Sequence, residues 1–225
     1  MKIGIIGSGN MGRSLGILWA EQGHQVLFGS RSAEKGKATA ELAGYQAQGG
    51  TNDEAATFAD VLLYTVRGIH PVEVFTSTEI LTNKILIDLN NFEIPQDFAY
   101  LPIEQSLAEK LAEEVPNAIV IKAFNTIPQE VFELAPEPLK DYSVSVLVAG
   151  NDREAKKTVM QLAREIGFNP IDSGNLRNAR LIEGLADLER FLIIHQQMGS
   201  IVPSFNVLPQ AQQQRLGGRQ PSALN

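Results

Sequence analysis

The most constraining feature of this chain is its opening segment. A short apolar pattern, Ile3-Gly4-Ile5-Ile6, runs directly into Gly7-Ser8-Gly9-Asn10-Met11-Gly12 and then into a helical pattern reaching about Gln22. On its own a G-x-G-x-x-G spacing is a weak signal. Here a strand precedes it, a helix follows, and a second apolar run at residues 26–28 comes next, which is the context a dinucleotide-binding fingerprint requires. The first glycine permits the tight turn, the second lets the backbone approach a pyrophosphate, and the third allows close helix–strand packing. The amides at the helix start, with the helix dipole behind them, form an anion site. Gly7, Ser8, Gly9, Asn10, Met11 and Gly12 are therefore candidate cofactor-binding residues.

The end of the second strand reads which dinucleotide is held. A site for the non-phosphorylated cofactor usually places Asp or Glu there to bond the ribose 2′-hydroxyl. This chain has Phe28-Gly29-Ser30-Arg31-Ser32, with Lys35 one turn later. Hydroxyls, a guanidinium and an ammonium suit a 2′-phosphate, which a carboxylate would repel. Cations at a helix start oppose the dipole, so an anionic ligand accounts for them better than solvation does. Ser30, Arg31, Ser32 and Lys35 thus point to NADP(H) over NAD(H).

Apolar runs at residues 3–6, 26–28, 61–66, 85–89, 119–123 and 144–149 alternate with helical patterns, as strands buried on both faces of a parallel sheet do. Thr51-Asn52-Asp53-Glu54 reads as a capping box, and Asn151 followed by Glu154 looks similar. Gly23, Gly44 and Gly167 sit where helices should close. The expected fold is α/β: a Rossmann-type, doubly wound, mostly parallel sheet over residues 1–174, with a small C-terminal helical extension over 175–225. One continuous helix is expected from Asn178 to about Met198. Its stripe of Leu181, Leu185, Leu188 and Leu192, widened by Ile182, Phe191, Ile194 and Met198, predicts burial against the body of the chain or against a second subunit of a homodimer. After Pro203 the chain turns rich in Gln, Gly and Pro, a composition typical of disorder.

Composition narrows the chemistry. With 225 residues, 44% apolar and 20% charged, the chain is long enough for a substantial core. Absence of cysteine excludes disulfides, a thiol nucleophile and thiolate metal sites. The three histidines, His24, His70 and His195, are too scattered to predict a metal centre, so none is expected. A net charge of −7 argues against general nucleic-acid binding. No apolar run approaches the roughly 20 residues of a membrane span or the roughly 7–15 of a signal-peptide core, so a cytoplasmic protein with no membrane partner is expected.

Together these residues resemble the NADPH-dependent coenzyme F420 reductases, also called F420-dependent NADP oxidoreductases. The resemblance covers roughly residues 1–200. It rests on the 7–12 loop, Gly29-Ser30-Arg31 with Lys35, and Lys122-Ala123-Phe124-Asn125-Thr126, its most specific element. Val148-Ala149-Gly150-Asn151-Asp152 and Gly174-Asn175-Leu176-Arg177-Asn178-Ala179-Arg180 also contribute. It implies that Ser8 to Met11 meet the pyrophosphate while Ser30, Arg31 and Lys35 hold the 2′-phosphate. Thr65 and Val66, followed by Arg67, would line the cofactor, with Ala123 to Asn125 at its nicotinamide end. A deazaflavin (coenzyme F420) or flavin-like acceptor would lie over the nicotinamide, so that hydride passes directly between rings. Such a reaction needs orientation and exclusion of water rather than a nucleophile. The chain departs from the family at Arg67, where many relatives have proline, at Asn90-Asn91-Phe92-Glu93-Ile94-Pro95, and in its Gln-rich tail.

Among other side chains, His70 is a candidate acid or base because its loop follows Val66. His195 reads as a core or interface residue and His24 as structural. Arg177 and Arg180 are placed to meet an anionic substrate. The function expected is therefore NADP(H)-dependent hydride exchange with a small-molecule redox acceptor. The rivals are an NADPH-dependent flavin or ferric reductase, an imine reductase of the pyrroline-5-carboxylate reductase kind, and a non-catalytic NADP(H) sensor.

Overall fold

The computed structural model describes residues 1–134 and 141–207. Among the described residues eight strands form one sheet: β1 (Lys2–Ile6), β2 (Gln25–Ser30), β3 (Gln48–Thr51), β4 (Val61–Tyr64), β5 (Ile85–Asp88), β6 (Ile119–Lys122), β7 (Ser145–Gly150) and β8 (Asn169–Asp172). Their spatial order is β3-β2-β1-β4-β5-β6-β7-β8, and every neighbouring pair is parallel except β6 and β7. This is the doubly wound Rossmann arrangement expected, whose order reverses between β1 and β4. Ligands in such sheets settle at that switch point, beyond the strands' carboxyl ends.

The helices, among the described residues, are α1 (Asn10–Glu21), α2 (Ala33–Ala43), α3 (Asn52–Phe58), α4 (Pro71–Val74), α5 (Leu107–Glu114), α6 (Gln129–Phe132), α7 (Arg153–Glu165) and α8 (Ala179–Arg190). Two apolar clusters cover the two faces of the sheet. One joins Ile5, Trp19, Phe28, Leu63, Phe124 and Leu162, and the other Ile6, Leu62, Leu86, Ala108 and Leu111. The Thr51–Glu54 capping box forms, the Thr51 amide donating to the Glu54 carboxylate at 2.7 Å and the Glu54 amide to the Thr51 hydroxyl at 3.2 Å. Gly23, Gly44 and Gly167 take positive φ (84°, 68° and 89°) near the ends of α1, α2 and α7.

Several expectations are corrected. Strands β3 and β8 escape the apolar-run pattern. The first is Gln-Gly-Gly-Thr because α2 crosses it so closely that a Cβ at Gly49 would fall on the Gly36 backbone. The second carries Pro170, tolerated because β8 is an edge strand. Helix α7 is capped by Asp152, whose carboxylate accepts the Ala155 amide at 2.7 Å, while Asn151 instead accepts the Leu176 amide at 3.0 Å. The continuous helix expected over 178–198 starts at Ala179 and ends at His195, and its last turn is not α-helical. Residues Leu176–Asn178 make a 3-10 turn, α8 stops at Arg190, and Phe191–His195 widen into a π turn. The buried face of α8 is Ile182, Glu183, Ala186, Asp187 and Glu189, whereas Leu181 and Leu188 are 75% and 53% exposed. The Ser145 amide donates to the Pro203 carbonyl at 2.8 Å, so the chain is still tied to the start of β7 there. The tail from 208 on lies outside the described residues. Among the described residues no helix is long and apolar enough to cross a membrane, and no His, Cys, Asp and Glu cluster is arranged to hold a metal.

Candidate functional site

The loop between β1 and α1 is held from below by β4. Gly7 lies at φ +91°, and a Cβ there would sit 2.7 Å from the Thr65 hydroxyl oxygen. That hydroxyl is shared between the carbonyl oxygens of Ile6 (3.0 Å) and Gly7 (2.8 Å). A Cβ at Gly12 would meet the Gly7 carbonyl oxygen at 2.6 Å and Ile5 at 2.8 Å, so α1 packs against β1 through this position. Gly9 differs: a Cβ there would meet nothing within 4 Å. It is the N-cap of α1 and supplies no side chain to satisfy the helix's first amides. Beside it the Ser8 hydroxyl is buried with no hydrogen-bond partner among the described residues.

From Gly9, Asn10 and Met11 a cleft of about 480 Å³ extends along the strand ends. Thr65 and Arg67 line it after β4, Asn90 and Asn91 after β5, Asn125 and Thr126 after β6, and Glu189 and Arg190 from α8. Asn91 and Asn125 are paired reciprocally. The Asn91 side chain donates to the Asn125 carbonyl at 2.8 Å, and the Asn125 side chain donates to Asn91 Oδ1 at 2.9 Å. Asn125 Oδ1 and Thr126 Oγ1 are buried with no partner among the described residues. The bend that aims them turns on Phe124, a fully buried residue at φ +66° whose ring packs edge-on against Trp19 at 5.8 Å. A non-glycine residue in that region is strained, and tertiary packing holds it there.

Beneath the cleft lies a buried charge network. Lys122, with no solvent exposure, donates to Asp88 at 2.8 Å, pairs with Glu183 of α8 at 2.7 Å and also bonds the Asn90 carbonyl. Asp88 accepts the Asn90 side chain at 2.8 Å, and that amide also reaches the Tyr64 carbonyl at 3.2 Å. Glu183 accepts the Leu107 amide at 2.9 Å at the start of α5. Burial pushes the Glu183 carboxyl up, and the Lys122 ammonium opposes that shift. The network anchors α8 to the sheet and sets the asparagines above it.

At the other end of the loop, Ser30 is buried where β2 closes. The Ser32 hydroxyl caps α2 by accepting the Lys35 amide at 3.3 Å. Arg31 and Lys35 are exposed and make no ion pair among the described residues.

With this geometry in view, the chain can be set beside known proteins. A family model described as NADP oxidoreductase coenzyme F420-dependent matches residues 2–92. The F420-dependent NADP reductase of Methanothermobacter thermautotrophicus is 33% identical over 208 residues, 84% of this chain and 87% of the relative. The chain belongs to the F420-dependent NADP reductase family. Metalloreductase STEAP3 of Rattus norvegicus is 36% identical over 82% of the chain, but the chain spans only 36% of its length. A crystal structure described as an F420-dependent NADP-reductase from Arthrobacter sp. FB24 superposes with a TM-score of 0.75 at 26% identity, covering 88% of this chain and 96% of that one. An NADPH-bound reductive aminase from Aspergillus terreus shares the fold, with a TM-score of 0.59 at 18% identity and coverage of 87% and 63%. The family is one of NADP oxidoreductases.

Within this family member, the structure brings Gly9, Asn10, Met11, Thr65, Arg67 and Asn125 to one cleft. Val66 instead lines a smaller, 180 Å³ hollow on its far side, and Ala123 is fully buried beneath the bend. His70 lies in that smaller hollow too. Its imidazole bonds Glu114 at 2.6 Å and is 67% exposed, outside the larger cleft. Arg180 is committed to Glu109 by two 2.7 Å bonds rather than facing the cleft, and its guanidinium holds Glu109 down at about 2. Arg177 is exposed. His195 is exposed but stacks on Phe191 at 4.8 Å, and His24 bridges Glu165 at 2.8 Å and the N-terminal amine at 3.0 Å. Asn91, Thr126, Glu189 and Arg190 were not among the residues expected in the cleft. The Asn90-Asn91 pair was visible only as a departure from the family pattern, and Glu189-Arg190 was hidden behind a leucine stripe that faces the other way.

Proposed function

We propose that the chain transfers hydride between NADPH and a deazaflavin (coenzyme F420) or flavin-like acceptor. The observation that carries this is the position of the 7–12 loop between two unlike neighbours, exposed cations at the end of β2 and a half-enclosed cleft at the ends of β4 to β6. The residues present fit the dinucleotide. The open space at Gly9 and the orphan Ser8 hydroxyl suit a pyrophosphate, with Ser8, Gly9, Asn10 and Met11 around it. Ser30, Arg31 and Lys35 would hold the 2′-phosphate, and Ser32 would support them by capping α2. Thr65 and Arg67 would flank the chain of the cofactor, with Val66 behind them. Ala123 supports the bend and Asn125 offers its free oxygen at the nicotinamide end. When bound, the nicotinamide supplies the hydride. The protein's work is to orient two rings and keep water out.

NADPH should bind at least about tenfold tighter than NADH, since charged hydrogen bonds contribute roughly 1.5–3 kcal/mol. Arg31→Ala should remove most of that difference, and equal wild-type affinities would sink the 2′-phosphate assignment. An NADPH-oxidation screen against deazaflavin, FMN, FAD, quinones and ferric chelates decides the acceptor. The metalloreductase similarity favours a second reading, flavin or ferric reduction, which turnover confined to FAD or ferric chelates would support. We further propose a homodimer formed through the exposed Leu181 and Leu188 face of α8. Light scattering should then give about twice 24.6 kDa, and Leu188→Asp should halve it. A monomeric wild type would reject the dimer.

A further inference from the structure

Glu189 is 6% exposed, lines the cleft, and has no hydrogen bond or ion pair among the described residues. It stands on the face of α8 that also brings Ala186, Arg190 and Ile193 to the cleft. The adjacent cation does not neutralise it, because Arg190 is engaged elsewhere. Its guanidinium bonds Asp187, the Phe92 carbonyl at 2.6 Å and the Ala186 carbonyl at 3.2 Å. The remaining ionisable groups around the cleft are also occupied or set apart. Arg67, after β4, pairs with Glu93 at 3.2 Å, and Glu130, on α6, accepts the Ser200 hydroxyl at 2.8 Å. Tyr100, near Arg190 and Asp187, has its hydroxyl pushed up by burial. A carboxyl buried without a partner favours its neutral form. Burial raises Glu189 to about 8 against the opposing pull of Arg190. Position in the cleft, burial and the lack of a counter-ion among the described residues all favour the protonated form of this carboxyl.

We propose that Glu189 is the proton donor of the reaction, and that the acceptor belongs to the class that gains a hydride at one ring atom and a proton at a ring nitrogen or oxygen. This rests on the oxidoreductase reading above and narrows it to a flavin or deazaflavin rather than a bare ferric ion. The balance is complete. The acceptor gains two electrons and one hydrogen as the C4–H bond of NADPH breaks, and one proton as the Glu189 O–H bond breaks. NADP⁺, the reduced acceptor and the Glu189 carboxylate result, and water at the cleft mouth returns the proton. A ferric ion takes one electron and no proton, and would have no use for this group.

The test uses the full chain with FMN and a 5-deazaflavin as acceptors. Wild-type kcat should fall as pH rises through about 8. Glu189→Gln should lower kcat by roughly 10²–10⁴-fold and abolish that limb while leaving the NADPH Kd unchanged. Glu189→Asp should restore part of the rate and a pH limb. Independently of turnover, the infrared carbonyl band of a protonated carboxyl should be present at pH 6–7, fade through about 8, and be missing from Glu189→Gln. Wild-type rate and pH profile in Glu189→Gln, or no such titrating band, overturns the proposal. If the wild type binds no NADPH, the oxidoreductase reading fails and takes this one with it. If NADPH binds and is oxidised but Glu189→Gln is indifferent, only the proton donor is lost.

Discussion

Replacing Lys122 by methionine tests the load on the buried network most directly. The methionine side chain would fill nearly the same volume but leave Asp88 and Glu183 facing one another with no cation between them. Neither carboxylate can move to solvent, since both side chains are at most 2% exposed. Removing one partner of a buried ion pair costs about 3–5 kcal/mol. At roughly 2–4 °C per kcal/mol for a chain of this size, Tm should fall by about 6–20 °C at pH 8. The pH dependence has a definite sign. In the variant the Glu183 carboxyl, already pushed up by burial, loses the ammonium that opposes that shift, so the folded state favours its protonated form more strongly than the unfolded chain does. Stability is then preserved at low pH and lost as pH rises. The gap between variant and wild type should be smaller at pH 5 than at pH 8, measured by thermal and urea unfolding at both. Glu183→Gln added to Lys122→Met should narrow the gap at pH 8, because one of the two opposed charges is gone. An equal gap at both pH values, or none, would falsify the view that this lysine neutralises two buried acids.

Two further tests separate binding from folding and examine the anchor of α8. Gly9→Val should fold with an unchanged Tm but lose NADPH binding, whereas Gly12→Val should lose about 1–3 kcal/mol of stability from overpacking against Gly7 and Ile5. Calorimetric titration with thermal melts distinguishes them, and a Gly9→Val protein that still binds NADPH would refute the cradle. Arg180→Met should lower stability at pH 7 by removing the partner of Glu109. Because Arg180 depresses the Glu109 pKa to about 2, that contribution is present above about 4.3 and lost as pH falls toward 2. A cost independent of pH between 2 and 7 would argue against the ion pair.

The site was legible in the sequence to the degree that its parts are local. The 7–12 loop is read from a strand, three glycines and a helix that follow one another directly, and the Ser30–Lys35 segment from the turn after the next strand. The 122–126 run could be recognised but not explained, because its geometry depends on Trp19 packing against Phe124, and on Asp88 and Glu183 meeting Lys122. Helix α8 was misjudged for the same reason. Its leucines mark an apolar stripe, but the face turned inward carries Glu183, Asp187 and Glu189. Glu183 is buried there because Lys122, distant in sequence, pairs with it, and Asp187 because Arg190, one turn on and itself held by the Phe92 carbonyl, does the same.

By itself, then, the amino-acid sequence determined the architecture around the 7–12 loop and the cations set beside it. Short-range periodicity, turn chemistry and a few charges suffice for both. Only the tertiary structure decided which face of the last helix is covered and, among the described residues, which polar atoms remain unpaired in the cleft and that Glu189 stands there without a counter-ion. Those depend on which groups the sheet order brings together across long stretches of chain, and burial without a partner is a property of a folded surface rather than of any residue alone.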